Sequence, residues 1–122
     1  MSQSELFAPA VLSVSELTDD IKTLLEGNFM DIKVEGEISN ASTSASGHTD
    51  FTLKDEDAQL SCVIWRGIAK KLGENPVVDG QQIIARGDIQ VYPPHGKYQL
   101  IVQSVKQAGI GALQEAFEKL KG

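Results

Sequence analysis

His48, Trp65, Tyr92 and His95 set flat rings beside polar, turn-forming stretches, and Lys33, Lys54, Arg66, Arg86 and Lys97 set positive charge among them. Rings and cations in that mixture suit a single strand of nucleic acid: phosphates follow cations, and bases stack on rings at about 1–3 kcal/mol each. Every one of these residues also has a plainer role. Trp65, beside a helix, can pack beneath Ile68; Tyr92, before two prolines, can pack its own turn; His95 in that turn can be solvated, as most surface cations are. Convergence on one face is what would lift them above that background.

Arrangements for catalysis are poorer. Asp55-Glu56-Asp57 clusters carboxylates, but adjacent residues in a hairpin turn cannot all point at one metal ion. Ser46, His48 and Asp50 hold the residue types of a nucleophilic triad, yet His48 and Asp50 share one strand and lack a buried orienting partner. Cys62 alternates with core residues and has no histidine on its face, so thiolate chemistry is not expected. As the single cysteine it also excludes an intrachain disulfide and the paired-cysteine zinc patterns. Gly109-Ile110-Gly111 is too sparse for a phosphate-binding loop. No catalytic residue, metal ligand or cofactor is expected.

The elements that must position these side chains show in the periodicity. Residues 1–12 are polar and unpatterned and read as a mobile arm. Ser13 or Ser15 can cap a helix with Val14, Leu17, Ile21, Leu24 and Leu25 at helical spacing, stopped by Gly27 and Asn28. The period then becomes two: Ile32, Val34, Gly36 and Ile38 mark a first strand, followed by a small-residue loop from Asn40 to Gly47. A second strand from His48 turns Phe51 and Leu53 inward, and Asp55-Glu56-Asp57 leads into a third with Leu60, Cys62 and Ile64 inward. Arg66 to Leu72 reads as a short helix ended by Gly73. Gln82 to Tyr92 is a long strand that Gly87 lets bend, and Tyr98, Leu100 and Val102 point inward from a fifth. A last helix runs from Gly111 or Ala112 to Lys121.

Five strands with a helix between the third and fourth is the plan of the OB-fold, a five-stranded Greek-key barrel, here with a leading and a trailing helix. A flat five-stranded sheet flanked by helices fits the same order. In the barrel, the second and third strands and the loops beside them form the usual ligand surface. The outward residues expected there are Lys33, His48, Asp50, Thr52, Lys54, Ser61, Val63 and Trp65, with Tyr92, His95 and Lys97 on the second loop and Arg66 and Arg86 nearby.

Composition bounds the alternatives. With 41% hydrophobic and 23% charged residues, the chain suits one folded domain whose core needs no covalent staple. Its apolar runs are far shorter than the roughly 18 residues of a bilayer span, and the first residues lack the pattern of a secretion signal. A soluble cytoplasmic protein without membrane contact is expected. The net charge of −6 has the wrong sign for most nucleic-acid binders, but residues 1–30 set one lysine against five acids and hold much of the excess. The barrel stays slightly acidic, which predicts low affinity for any strand.

Specific strings add to this reading. Val34-Glu35-Gly36-Glu37-Ile38-Ser39-Asn40, Ser46-Gly47-His48, Phe51-Thr52-Leu53-Lys54-Asp55 and Cys62-Val63-Ile64-Trp65-Arg66 follow in order. Tyr92 with Gly96, Tyr98 to Val102, Gly109 to Gly111, Leu113 and Phe117 to Lys121 continue the series. Over residues 12–122 this pattern resembles the exodeoxyribonuclease VII large subunits. The resemblance implies their N-terminal OB-fold domain, spanning 13–106 here, with 107–122 beginning a helical connection to an absent catalytic domain. It implies binding of single-stranded DNA without cleavage by this chain, and the residues expected from their positions to make the contacts are Lys33, His48, Thr52, Lys54, Trp65, Arg66, Arg86, Tyr92 and Lys97. The whole enzyme, a large subunit with several copies of a small one, degrades single-stranded DNA from both ends to oligonucleotides.

Three departures bear on affinity. The family commonly has an aromatic residue where this chain has Asp50, and often an aromatic or bulky apolar residue where it has Lys33. The loop from Asn40 to Gly47 lacks the usual ring or cation. A carboxylate in place of a stacking ring loses a contact and repels phosphate. The competing expectation is a protein-interaction module that docks on a catalytic core or neighbouring subunit, favoured by the acidic balance and by outward Val63 and Trp65. RNA binding is a third, since the fold serves both nucleic acids.

Overall fold

A computed structural model describes residues 11–72 and 77–108. The arm expected over 1–12, apart from its last two residues, lies outside the described residues, as do the Gly73 stop and the last helix. Helix α1 spans Val14–Asn28. Of the two candidate caps it uses Ser13, whose Oγ accepts from the Glu16 amide at 3.0 Å while Glu16 Oε1 accepts from the Ser13 amide at 2.9 Å. This reciprocal box satisfies two of the donors a helix start leaves open. Leu25 turns onto the core, whereas Val14, Leu17, Ile21 and Leu24 remain exposed. Glu26 ties the helix to the barrel by accepting from the Val91 amide at 3.0 Å.

The strands are β1 (Ile32–Thr43), β2 (Thr49–Lys54), β3 (Gln59–Ile64), β4 (Gln82–Tyr92) and β5 (Lys97–Gln107), with helix α2 at Arg66–Leu72 between β3 and β4. They close in the order β1-β2-β3-β5-β4. Closure rests on a parallel seam, Cys62 beside Leu100 and Val63 beside Ile101, that joins segments far apart in sequence. The flat sheet is thereby excluded, and the architecture is the OB-fold plan. Ile38, Ile83, Leu100 and Val102 are wholly buried at the centre, with Phe51, Leu53, Cys62 and Ile64 around them. Ile68, Ala69 and Leu72 of α2 and Leu25 of α1 pack against that cluster.

β1 passes beyond its expected end. Asn40 to Thr43 belong to the strand, because a register shift after Ser39 brings Ser42 opposite Asp50 and Thr43 opposite Thr49. Small polar residues gave no apolar period, yet their backbones pair as well as any, and the remaining turn is short: the Gly47 amide donates to the Ser44 carbonyl at 3.0 Å. Gly87 sits at the other register shift, between β4 and β5. A Cβ there would collide with the Ile101 carbonyl, so close backbone approach at the bend requires glycine.

Two side chains fall elsewhere than their alternation suggests. Val63, expected on the open ligand face, is buried where β3 meets β5. Tyr98 keeps the inward phase of Leu100, but it is the second residue of β5, next to the β4–β5 hairpin, and is 54% exposed.

Candidate nucleic-acid interface

Alternation along β2 turns Asp50, Thr52 and Lys54 outward, and the ladder sets Ser61 of β3 opposite Thr52. The parallel seam brings Gln99 of β5 alongside. Asp50, Thr52, Ser61 and Gln99 floor a groove of about 430 Å³, whose lining also includes Asn40, Tyr92, His95, Lys97 and Tyr98. The β4–β5 hairpin builds one wall. Pro93–His95 form a single 3-10 turn closed by Gly96 at φ 58°, in the left-handed region, and this turn stacks His95 on Tyr92 with ring centroids 5.1 Å apart and planes 16° from parallel. Tyr92 is half exposed in that pair.

A second ring pair stands just past the opposite ends of β2 and β3. His48 and Trp65 meet edge to face, with centroids 4.6 Å apart. His48 Nδ1 accepts from the Arg66 amide at 3.2 Å, which leaves Nε2 to carry its proton. Gly47, at φ 92°, presses on the aliphatic stem of Arg66 so closely that a Cβ would lie 2.9 Å from its Cγ and Cδ. Trp65 is not packed away beneath Ile68: 42% of it is exposed, and its carbonyl accepts from the Ile68 and Ala69 amides to start α2.

Seven of the nine expected site residues therefore lie on or beside β2, β3 and the β4–β5 hairpin: Thr52, Tyr92 and Lys97 line the groove, Lys54 follows on β2 with its ammonium 3.9 Å from Glu37, and His48, Trp65 and Arg66 stand just past the other ends of β2 and β3. Lys33 and Arg86 do not join them. They pair across β1 and β4 and line a separate groove with Ile84, Ser104 and Lys106. Arg86 grips both oxygens of Asp31, Nε to Oδ1 at 2.5 Å and Nη2 to Oδ2 at 2.9 Å. This bidentate bond raises the Arg86 pKa and holds the Asp31 carboxyl below its ordinary value. Outward phase alone had put both cations near the site; the barrel's closure turns their strands to another side.

Asn40, Tyr98 and Gln99 line the groove without having been expected. Asn40 lies in a stretch with no apolar period to mark it, though Asn is among the few non-glycine residues suited to its φ of 54°. Tyr98 had one usable signal, a hydroxyl at the mouth of a hairpin. Asp55, by contrast, is a turn residue as expected: its Oδ1 accepts from the Asp57 and Ala58 amides, which holds its pKa below the ordinary value. Burial pushes the Cys62 thiol up to about 12, so it is no nucleophile at neutral pH.

Residues 12–106 match the family model described as the OB-fold nucleic acid binding domain. The chain belongs to that family. Around this OB-fold domain the sequence is 50% identical over 111 residues to the exodeoxyribonuclease 7 large subunit of Geotalea daltonii, covering 91% of this chain and 25% of that protein. The corresponding subunit of Klebsiella pneumoniae is 42% identical over 114 residues, covering 93% and 24%. The chain thus spans about a quarter of the length of the curated relatives it matches. Among solved structures the OB-fold domain resembles the S. pombe Stn1-ten1 complex, with TM-score 0.57 and 17% identity over 74% of this chain and 67% of that one. Asparaginyl-tRNA synthetase from Pyrococcus horikoshii follows at 0.52 and 15%, over 73% and 21%. At those identities the likeness is one of fold. No helix among the described residues is long and apolar enough to cross a membrane.

Proposed function

We propose that this OB-fold domain binds single-stranded DNA in the groove between β2–β3 and the β4–β5 hairpin, as part of an exodeoxyribonuclease VII large subunit. The observation that carries the reading is the stacked Tyr92–His95 pair standing over a polar floor with Lys97 at its edge. Rings accept bases of any sequence, and the cations of this face follow the backbone. Thr52, Tyr92 and Lys97 act at the groove, Lys54 beside it on β2, His48, Trp65 and Arg66 at the far end, while Lys33 and Arg86 stand apart. The domain itself binds and does not cut. In the longer, cytoplasmic protein it hands the strand to a nuclease core that, assembled with small subunits, shortens single-stranded DNA from both ends to oligonucleotides.

Fluorescence anisotropy of a labelled oligothymidine titrated with the chain tests this. If about three phosphates are engaged, the logarithm of affinity falls against the logarithm of salt concentration with a slope of about −2. A flat response would remove the phosphate contacts from the account. Matched DNA and RNA oligomers in the same assay separate the two acids, and intact oligomer after incubation is the expected result for a binding domain.

A further inference from the structure

An acidic side chain is a poor choice for the floor of a groove that holds a polyanion. Asp50 nevertheless stands there, outward on β2 and exposed, between the two ring pairs. Its carboxylate has no hydrogen bond or ion pair with any described residue, and the same holds for the side chains of Asn40, Thr52, Ser61 and Gln99 around it. The floor is therefore a set of unengaged polar groups, held in place by strand pairing and, at Asn40, by a left-handed backbone. Lys97 is the one lysine or arginine among the described lining residues, at the rim and not on the floor.

From this arrangement, and resting on the binding reading above, the geometry points to a base-reading subsite: Asp50 selects nucleobases that carry an exocyclic amino group. Phosphates are repelled from the carboxylate and drawn to Lys97, so a strand lying here turns its bases toward Asp50. An ionised carboxylate can only accept hydrogen bonds. Cytosine, adenine and guanine each present an amino group to it, the pairing by which acidic residues read cytosine in DNA grooves. Thymine and uracil offer a single ring N–H flanked by two carbonyl oxygens, which repel the carboxylate while the N–H attracts it. Thr52, Ser61 and Gln99 can serve the remaining polar edges of a base set between them.

Deoxycytidine and deoxyuridine decamers make the cleanest comparison, because their rings differ in the group at C4 and the protonation that goes with it. With the 122-residue chain at neutral pH, anisotropy is expected to show (dC)10 bound about fivefold more tightly than (dU)10, the size of one charge-assisted hydrogen bond made at an exposed site. Asp50→Asn, which can donate as well as accept, should bring the two within twofold and strengthen both. Glu56→Gln removes the same charge from the exposed β2–β3 turn and should keep the fivefold ratio. Equal binding of both decamers by the unaltered chain, or a ratio that survives Asp50→Asn, would overturn the subsite while leaving the binding function standing. Failure to bind any strand, including oligothymidine, would remove both.

Discussion

Trp65 and Arg86 are both surface side chains that an outward-phase reading assigned to the same task, and the barrel separates them. Trp65 meets His48 at the end of the ligand face, with two fifths of its surface open to a base. Arg86 is occupied by Asp31 on another side. Trp65→Ala should therefore weaken binding of a labelled single strand about five- to tenfold, the low end of a lost base stack. Arg86→Ala should leave that affinity within twofold, and since an exposed ion pair contributes little, the melting curve should barely move. Loss of affinity in Arg86→Ala equal to that in Trp65→Ala would mean that the strand wraps past the groove onto β1 and β4.

Among the elements, the attachments of α1 and the bend in β4 depend on single residues. Glu26 accepts from the Lys22 ammonium at 2.7 Å and from the Val91 amide, and both bonds lower its pKa from the ordinary value of 4.5. A carboxyl whose folded pKa lies below its unfolded value stabilises the fold above the unfolded value, and the benefit disappears as pH falls through the lowered one. Denaturant melts of the chain from pH 6 down to about pH 3 should thus show a loss of stability that is smaller in Glu26→Gln, which is already missing that share at pH 6. An identical pH slope in the variant would show that the bond to β4 holds nothing. In β4 itself, Gly87→Ala drives a methyl group into the Ile101 backbone. The strands cannot part there without opening the β4–β5 ladder, so the cost should be about 3 kcal/mol or more, read as a fall in the denaturation midpoint.

For the molecule as a whole, one core inside a closed barrel predicts opening as a unit. Cys62 is 3% exposed, lies among Phe51, Leu100 and Ile64, and holds its proton up to a pKa of about 12. A thiol-alkylating reagent at pH 8 should therefore label it at a rate set by the population of the unfolded state, rising with added urea in step with the loss of the folded circular dichroism signal. Rapid labelling without denaturant would show that β3 opens independently of the rest. Charge also belongs at this scale. The negative excess of residues 1–30 lies before the barrel in sequence, so the net sign of −6 is compatible with a strand-binding face. The barrel's own mild acidity, with Asp50 in its groove, still argues for modest affinity and for discrimination in place of strength.

Periodicity was enough to place every described α-helix and strand and to name the five-stranded plan, because apolar residues recur at helical or strand spacing along each, and in β2 and β4 burial follows that alternation. Specific strings carried the family. Where small polar residues pair by backbone alone, as from Asn40 to Thr43, the side chains carry no period, and the strand is indistinguishable from loop in the sequence. Which outward residues share a face was beyond any local pattern: Lys33 and Arg86 are in phase with their strands, yet face elsewhere because β3 joins β5 in parallel and curls the sheet shut. The same closure buried Val63 and set Asn40, Asp50, Ser61 and Gln99 around one floor. Sequence alone determined which chemistry was present, since residue types and local periods are written along the chain. Tertiary structure decided which of those groups meet, because contacts between distant strands follow from closing the barrel as a whole.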